Sequence, residues 1–137
     1  MSQYKSISDI SVGMKASAFH LITDEKIRAF ATISEDWNPI HLDEKYAKNS
    51  KFGRRIAHGA MVASFFSALF AMELPGAGSI YVSQNTQFKK PVFLDDTVLV
   101  EIEVMDIDIE RKRVYFNTTC FVKGAVVLSG KAEIYIP

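Results

Sequence analysis

The sequence predicts an α+β protein in which an antiparallel sheet wraps around one long buried central helix. From residue 80 onward the hydrophobic pattern has period two: Val98, Val100, Ile102 and Val104 alternate with Glu101 and Glu103, as in a half-buried strand. Before that, residues 60–72 are uncharged and apolar around almost the whole circumference of a helix, the pattern of a helix covered on every side. The change of period falls at Pro75-Gly76-Ala77-Gly78, a turn sequence.

The elements follow in order. A loosely alternating run over residues 12–21 predicts an opening strand. Thr23 offers an N-cap, with Asp24 and Glu25 bringing negative charge to the first turn. Ile27, Phe30, Ala31 and Ser34 then recur at helical spacing and predict about three turns. A short helix is expected over residues 43–49 with Asp43 as cap, and Lys51-Phe52-Gly53-Arg54-Arg55 reads as exposed loop. On the long helix the small residues Ala60, Ser64, Ser67 and Ala71 form a narrow strip where another backbone can approach. Strands are expected over residues 80–88, 98–104, 114–123 and 126–136, with Gly124-Ala125 turning the last pair into a hairpin. One small sheet covers such a helix poorly, so a homodimer joining two sheets edge to edge is expected.

The 137 residues read as one domain, 1–137, without repeats or linkers. Sixteen basic and sixteen acidic side chains cancel, so no net field recruits nucleic acid or an anionic membrane. The single cysteine, Cys120, excludes an internal disulfide and falls in a β-patterned run, where a thiol packs as a small hydrophobe. Met1-Ser2-Gln3-Tyr4-Lys5 lacks the basic-then-apolar order of a signal peptide. Residues 59–72 fall short of the roughly 20 apolar residues that span a bilayer. The expectation is a cytoplasmic protein with neither a membrane nor a nucleic-acid partner.

Chemistry concentrates in Ser34-Glu35-Asp36-Trp37-Asn38-Pro39-Ile40-His41 and Ile56-Ala57-His58-Gly59. Pro39 has no N–H and pushes Asn38 out of the α region, so Asp36 and His41 cannot share a helical turn and are expected on a bent loop. An Asp-x-Asn-Pro tetrad is also an ordinary helix-exit turn; the presence of two of the chain's three histidines in this region favours acid–base chemistry. A carboxylate and an imidazole that share one water supply a base and an acid, and either residue suits either role. Gly59 opens the long helix, whose free N–H groups and positive dipole end suit a developing oxyanion, with no Cβ in the way. His58 is expected to support the site by capping that helix or satisfying a carbonyl. A metal site built from Asp36, His41 and His58 lacks standard zinc spacing, and no metal is expected. His20 receives no role.

The stretch from Ser34 to His41 resembles the hydratase motif of the MaoC-like (R)-specific enoyl-CoA hydratases, which have the hotdog fold. The similarity continues through Arg55-Ile56-Ala57-His58-Gly59, Pro75-Gly76-Ala77-Gly78-Ser79-Ile80-Tyr81 and Phe88-Lys89-Lys90-Pro91-Val92; Glu35 stands where the family commonly has glycine. The resemblance implies a hotdog fold, Asp36 and His41 as the catalytic pair, and the backbone N–H of Gly59 holding a thioester oxygen. It also implies that Asn38 and Ser67 orient the pair, with the Ser67 hydroxyl facing inward from mid-helix. The implied reaction is reversible hydration of a trans-2-enoyl-CoA to the (3R)-3-hydroxyacyl-CoA without metal or redox cofactor, CoA being part of the substrate. Such a substrate asks for a basic fringe, for which Lys51, Arg54, Arg55, Lys89 and Lys90 are candidates. Phe65, Phe66, Leu69 and Phe70 are candidates for an acyl pocket with Phe70 as its floor. The alternatives are a hotdog acyl-CoA thioesterase, which would release free CoA, and a non-catalytic acyl-CoA-binding module.

Overall fold

Five antiparallel strands form one sheet: β1 (Lys15–Leu21), β2 (Ile80–Phe88), β3 (Thr97–Asp108), β4 (Arg113–Val122) and β5 (Ala125–Tyr135), in the spatial order β1-β3-β4-β5-β2. The computed structural model describes residues 6–137; the stretch Met1-Ser2-Gln3-Tyr4-Lys5 read above for a signal peptide lies outside the described residues. The alternation in the sequence becomes register directly. Val98, Val100, Ile102 and Val104 of β3 are fully buried, while Glu101 and Glu103 point to the other face. Lys123 and Gly124, with φ of 51° and 79°, make the two-residue loop between β4 and β5. Two consecutive positive φ values match the twist of the flanking strands, and the turn falls one residue earlier than expected.

Helix α1 (Asp24–Ser34) starts at Thr23, whose hydroxyl accepts the N–H of Lys26 at 3.1 Å. It stops at Glu35, which adopts the left-handed conformation with φ of 65°. That geometry gives the familial glycine its reason, since a helix most cheaply ends on a residue without a Cβ. Two short helices follow, α2 (Pro39–Leu42) and α3 (Glu44–Lys48), the latter capped by the Asp43 carboxylate on the N–H of Tyr46.

Helix α4 (Gly59–Met72) packs on the inner face of the sheet through Met61, Val62, Phe66, Leu69 and Phe70. Within one chain the cover is partial, as expected of one small sheet. Ala60, Ser64, Ser67, Ala68 and Ala71 are exposed, because the sheet lies against only one side of the helix. Strand β2, at the sheet edge, likewise leaves Ile80, Tyr81 and Val82 40–50% exposed. Cys120 is buried, and its surroundings push the thiol up to about 12, so it acts as core rather than as a reactive group. Among the described residues, no helix is long and apolar enough to cross a membrane.

Candidate active site

The left-handed turn at Glu35 throws the chain out of α1 and into a tight series of side-chain caps. Ser34 Oγ accepts the N–H of Asp36 at 3.2 Å, Asp36 Oδ1 accepts the N–H of Asn38 at 3.1 Å, and Asn38 Oδ1 accepts the N–H of Ile40 at 3.3 Å. Pro39 occupies the first position of α2, where its missing N–H costs nothing. Asp36 therefore sits on an exposed loop, whereas His41, expected on that loop, lies on a four-residue helix and is 7% exposed. Asn38 does two things here: its N–H fixes the carboxylate of Asp36, and its side chain begins the helix that carries His41.

The imidazoles have defined tautomers, because each bonds a carbonyl oxygen that can only accept. His41 Nδ1 donates to Ile56 O at 2.8 Å, leaving Nε2 as the open nitrogen. His58 Nε2 donates to Asp36 O at 3.0 Å, and its Nδ1 is buried with no partner. His58 thus satisfies a backbone carbonyl and gives α4 no side-chain cap. The two rings stack at 3.9 Å, and Phe30 closes the far side of His58 at 4.9 Å. Burial holds His41 below the usual histidine range, outweighing the carbonyl of Ile56 and the nearby Asp36, which favour the charged form. With Nδ1 donating, the neutral ring offers its Nε2 lone pair as a proton acceptor and becomes an acid once it has taken a proton.

A carboxylate oxygen of Asp36 and a ring nitrogen of each histidine lie within 4.8 Å of one another. One water can bridge the carboxylate and His41 at that separation. The same cluster does not suit a metal ion. A ring nitrogen directs its lone pair in the ring plane, and stacked planes only 28° apart do not aim two lone pairs at one point.

Beside the cluster opens a cavity of about 540 Å³, lined by His41, Gly59 and Ala60 and by apolar walls that include Phe52, Ile56, Val62, Phe88 and Leu128. Gly59 and Ala60 form the first turn of α4, where N–H groups have no intrahelical acceptor and the dipole is positive. Space is tight at this point: a Cβ on Gly59 would come within 2.8 Å of the Phe88 ring.

The other expected site residues divide. Lys89 and Lys90 line the cavity, and the Lys51 ammonium lies 5.2 Å over the ring of Phe52, itself a cavity residue. Arg54 is exposed and stacks on Phe93 at 3.9 Å. Arg55, expected on an exposed loop at a CoA phosphate, is 4% exposed and turned inward to Asp24, Glu44 and the carbonyl of His41. Phe66 and Phe70 also need correction. Both are buried in the core, Phe70 edge-on to Phe116 and Tyr81, and neither lines the cavity. Ser67 faces outward with the exposed strip of α4 rather than inward. Phe65 stacks on His20 at 4.0 Å, and Leu69 belongs to the core. Sequence reasoning missed Ile56, Phe52, Phe88 and Leu128 as lining residues. The isolated bridge between Ile56 and Phe93, which brings two distant segments together, left no local pattern to read.

The family described as MaoC like domain matches residues 10–127. The (R)-specific enoyl-CoA hydratase of Rhodospirillum rubrum is 44% identical over 129 residues, covering 94% of this chain and 90% of that protein. Among solved structures, the (R)-hydratase of Aeromonas caviae involved in PHA biosynthesis superposes with a TM-score of 0.91 at 40% identity, covering 93% of this chain and 98% of that one. The unliganded R-hydratase PhaJ1 of Pseudomonas aeruginosa gives 0.92 at 39% identity, covering 96% and 85%. With its five-stranded antiparallel sheet against one long helix and its match over most of the length, the chain belongs to the MaoC-like family of hotdog proteins.

Proposed function

We propose that this protein is an (R)-specific enoyl-CoA hydratase, a hydro-lyase that reversibly adds water to a trans-2-enoyl-CoA and yields the (3R)-3-hydroxyacyl-CoA. The observation that supports the reading is a carboxylate oxygen of Asp36 and a ring nitrogen of His41 within 4.8 Å of each other, with His41 lining a cavity that also touches the first turn of α4. Full-length relatives at 39–44% identity that carry this activity in their names support the same reading.

In the hydration direction, one member of the pair takes a proton from the shared water as its oxygen bonds to C3. The double-bond electrons move toward the thioester carbonyl, whose oxygen accepts a hydrogen bond from the N–H of Gly59. The member that took the proton then returns it to C2 while the other accepts a hydrogen bond from the water's second hydrogen, so a single water supplies both the hydroxyl and the added hydrogen and the pair ends as it began. Positioned acid–base groups contribute roughly 10²–10⁴-fold, and a preorganised donor on the enolate-like oxygen contributes on the order of 3 kcal/mol. Each step uses side chains and backbone alone, so the reaction calls for no cofactor. Lys89 and Lys90 at the cavity, with Lys51 nearby, are suited to the CoA phosphates.

The working form we propose is a cytoplasmic homodimer of single-domain chains. The small-residue strip of α4 and the apolar residues of edge strand β2 are exposed together, and a second copy that continues the sheet at β2 would cover both. The functional test is to supply crotonyl-CoA and follow its enoyl absorbance with a thiol reagent present. Loss of absorbance without free CoA supports the hydratase. Thiol release would instead make the protein a thioesterase.

A further inference from the structure

We infer that Arg55 is a positioning residue for His41, its guanidinium fixing the main chain that carries the catalytic imidazole. The inference rests on the functional reading above. A buried guanidinium is tolerated only with its donors engaged, and Arg55 has three acceptors. Nε donates to the carbonyl oxygen of His41 at 2.6 Å, Nη2 to Asp24 Oδ1 at 2.6 Å and Nη1 to Glu44 Oε1 at 3.4 Å. The first contact is the informative one. Helix α2 is four residues long, too short to supply an intrahelical donor to the carbonyl of His41, and Arg55 supplies it from outside.

The neighbouring residue completes the grip. Ile56 O accepts the proton of His41 Nδ1, and Ile56 N–H donates to Ile40 O at 3.3 Å. His41 is thus held at its peptide by Arg55 and at its ring by Ile56. Asp24, at the first turn of α1, is shared by Arg55 and Arg28, the latter at 2.9 Å, so the imidazole is tied to the element that launches the Asp36 loop. The positive charge also disfavours protonation of His41, a smaller effect than burial.

The test compares wild type, Arg55→Lys, Arg55→Gln and Asp24→Asn by crotonyl-CoA kinetics and by NMR titration of the His41 ring, a readout that needs no substrate. Arg55→Gln is expected to lower kcat roughly tenfold to a hundredfold, the scale of an ångström-sized misplacement, with KM within about twofold. Arg55→Lys should recover part of the loss. The titrations should move in opposite directions: removing the cation in Arg55→Gln raises the His41 midpoint, and removing the anion in Asp24→Asn lowers it. If Arg55→Gln does not fold, Asp24→Asn, altered at a half-exposed side chain, carries the test alone. Unchanged titration of His41 in the folded variants would overturn the positioning role, as would a loss confined to KM. A wild type that does not hydrate crotonyl-CoA while its His41 titration still responds to Arg55 and Asp24 would overturn the functional reading and leave the positioning role standing.

Discussion

At the scale of single residues, the central fact is that His41 is buried, neutral and held on two sides. Its titration midpoint lies below the ordinary histidine value of about 6.5. An activity that needs the neutral ring therefore has an acid limb in kcat/KM centred below 6.5; an acid limb centred above 7 would contradict the burial. Stability follows the same groups. His41 and His20 both titrate below their unfolded values, chiefly through burial, so the unfolded chain binds more protons just below pH 6.5. Their contribution is complete above that pH and is lost as pH falls from about 6.5 toward the folded values. The urea midpoint should decline between pH 7.5 and 5.5, and a flat profile would show that neither ring is desolvated. Arg55 marks the limit of reading residues from sequence. A charge next to another charge reads as exposed, and only the fold reveals acceptors as far away in the chain as Asp24.

At the scale of elements, α4 combines a functional end with a structural body. Its N-terminus is open toward the cavity and Phe88 lies close over it, so Gly59→Ala forces the ring or the thioester to move. We expect this variant to fold, because Phe88 is 59% exposed and can swing, yet to lose on the order of tenfold or more in kcat/KM through misplacement of the carbonyl. Equal kinetics in Gly59→Ala would remove the helix end from the mechanism. The body of the helix behaves as core. Phe70→Ala should cost roughly 3–5 kcal/mol of stability and leave chain-length preference unchanged, since Phe70 does not line the cavity; calorimetry and a series of enoyl-CoAs measure the two effects. The strands and their hairpin were legible in the sequence because period two survives folding unchanged. The cavity wall was not, because Phe52 and Ile56, Phe88, and Leu128 come from three separate segments brought together by tertiary packing.

At the scale of the whole molecule, the reading that one small sheet covers the apolar circumference of α4 poorly agrees with the exposed strip of Ala60, Ser64, Ser67 and Ala71 in one chain. Composition registers that a face avoids water and carries no information about which chain covers it. Ser67 illustrates the point: its motif position survives, but its side chain faces the strip that a second copy would cover rather than the cavity. A homodimer built on this face should sediment as a dimer at micromolar concentration, and Ala71→Arg, which places a charge on the strip, should shift it toward monomer; a monomeric wild type would contradict the assembly. The loop motif from Ser34 to His41 was legible because its caps are local, each bond spanning two residues. The most direct measurement of the central claim is a double-mutant cycle on crotonyl-CoA hydration with Asp36→Asn, His41→Ala and both together. If the pair acts as a unit on one water, each single change lowers kcat by about 10²-fold or more and the double variant is scarcely worse than the poorer single. Full activity in either single variant, or losses that multiply in the double, would contradict it.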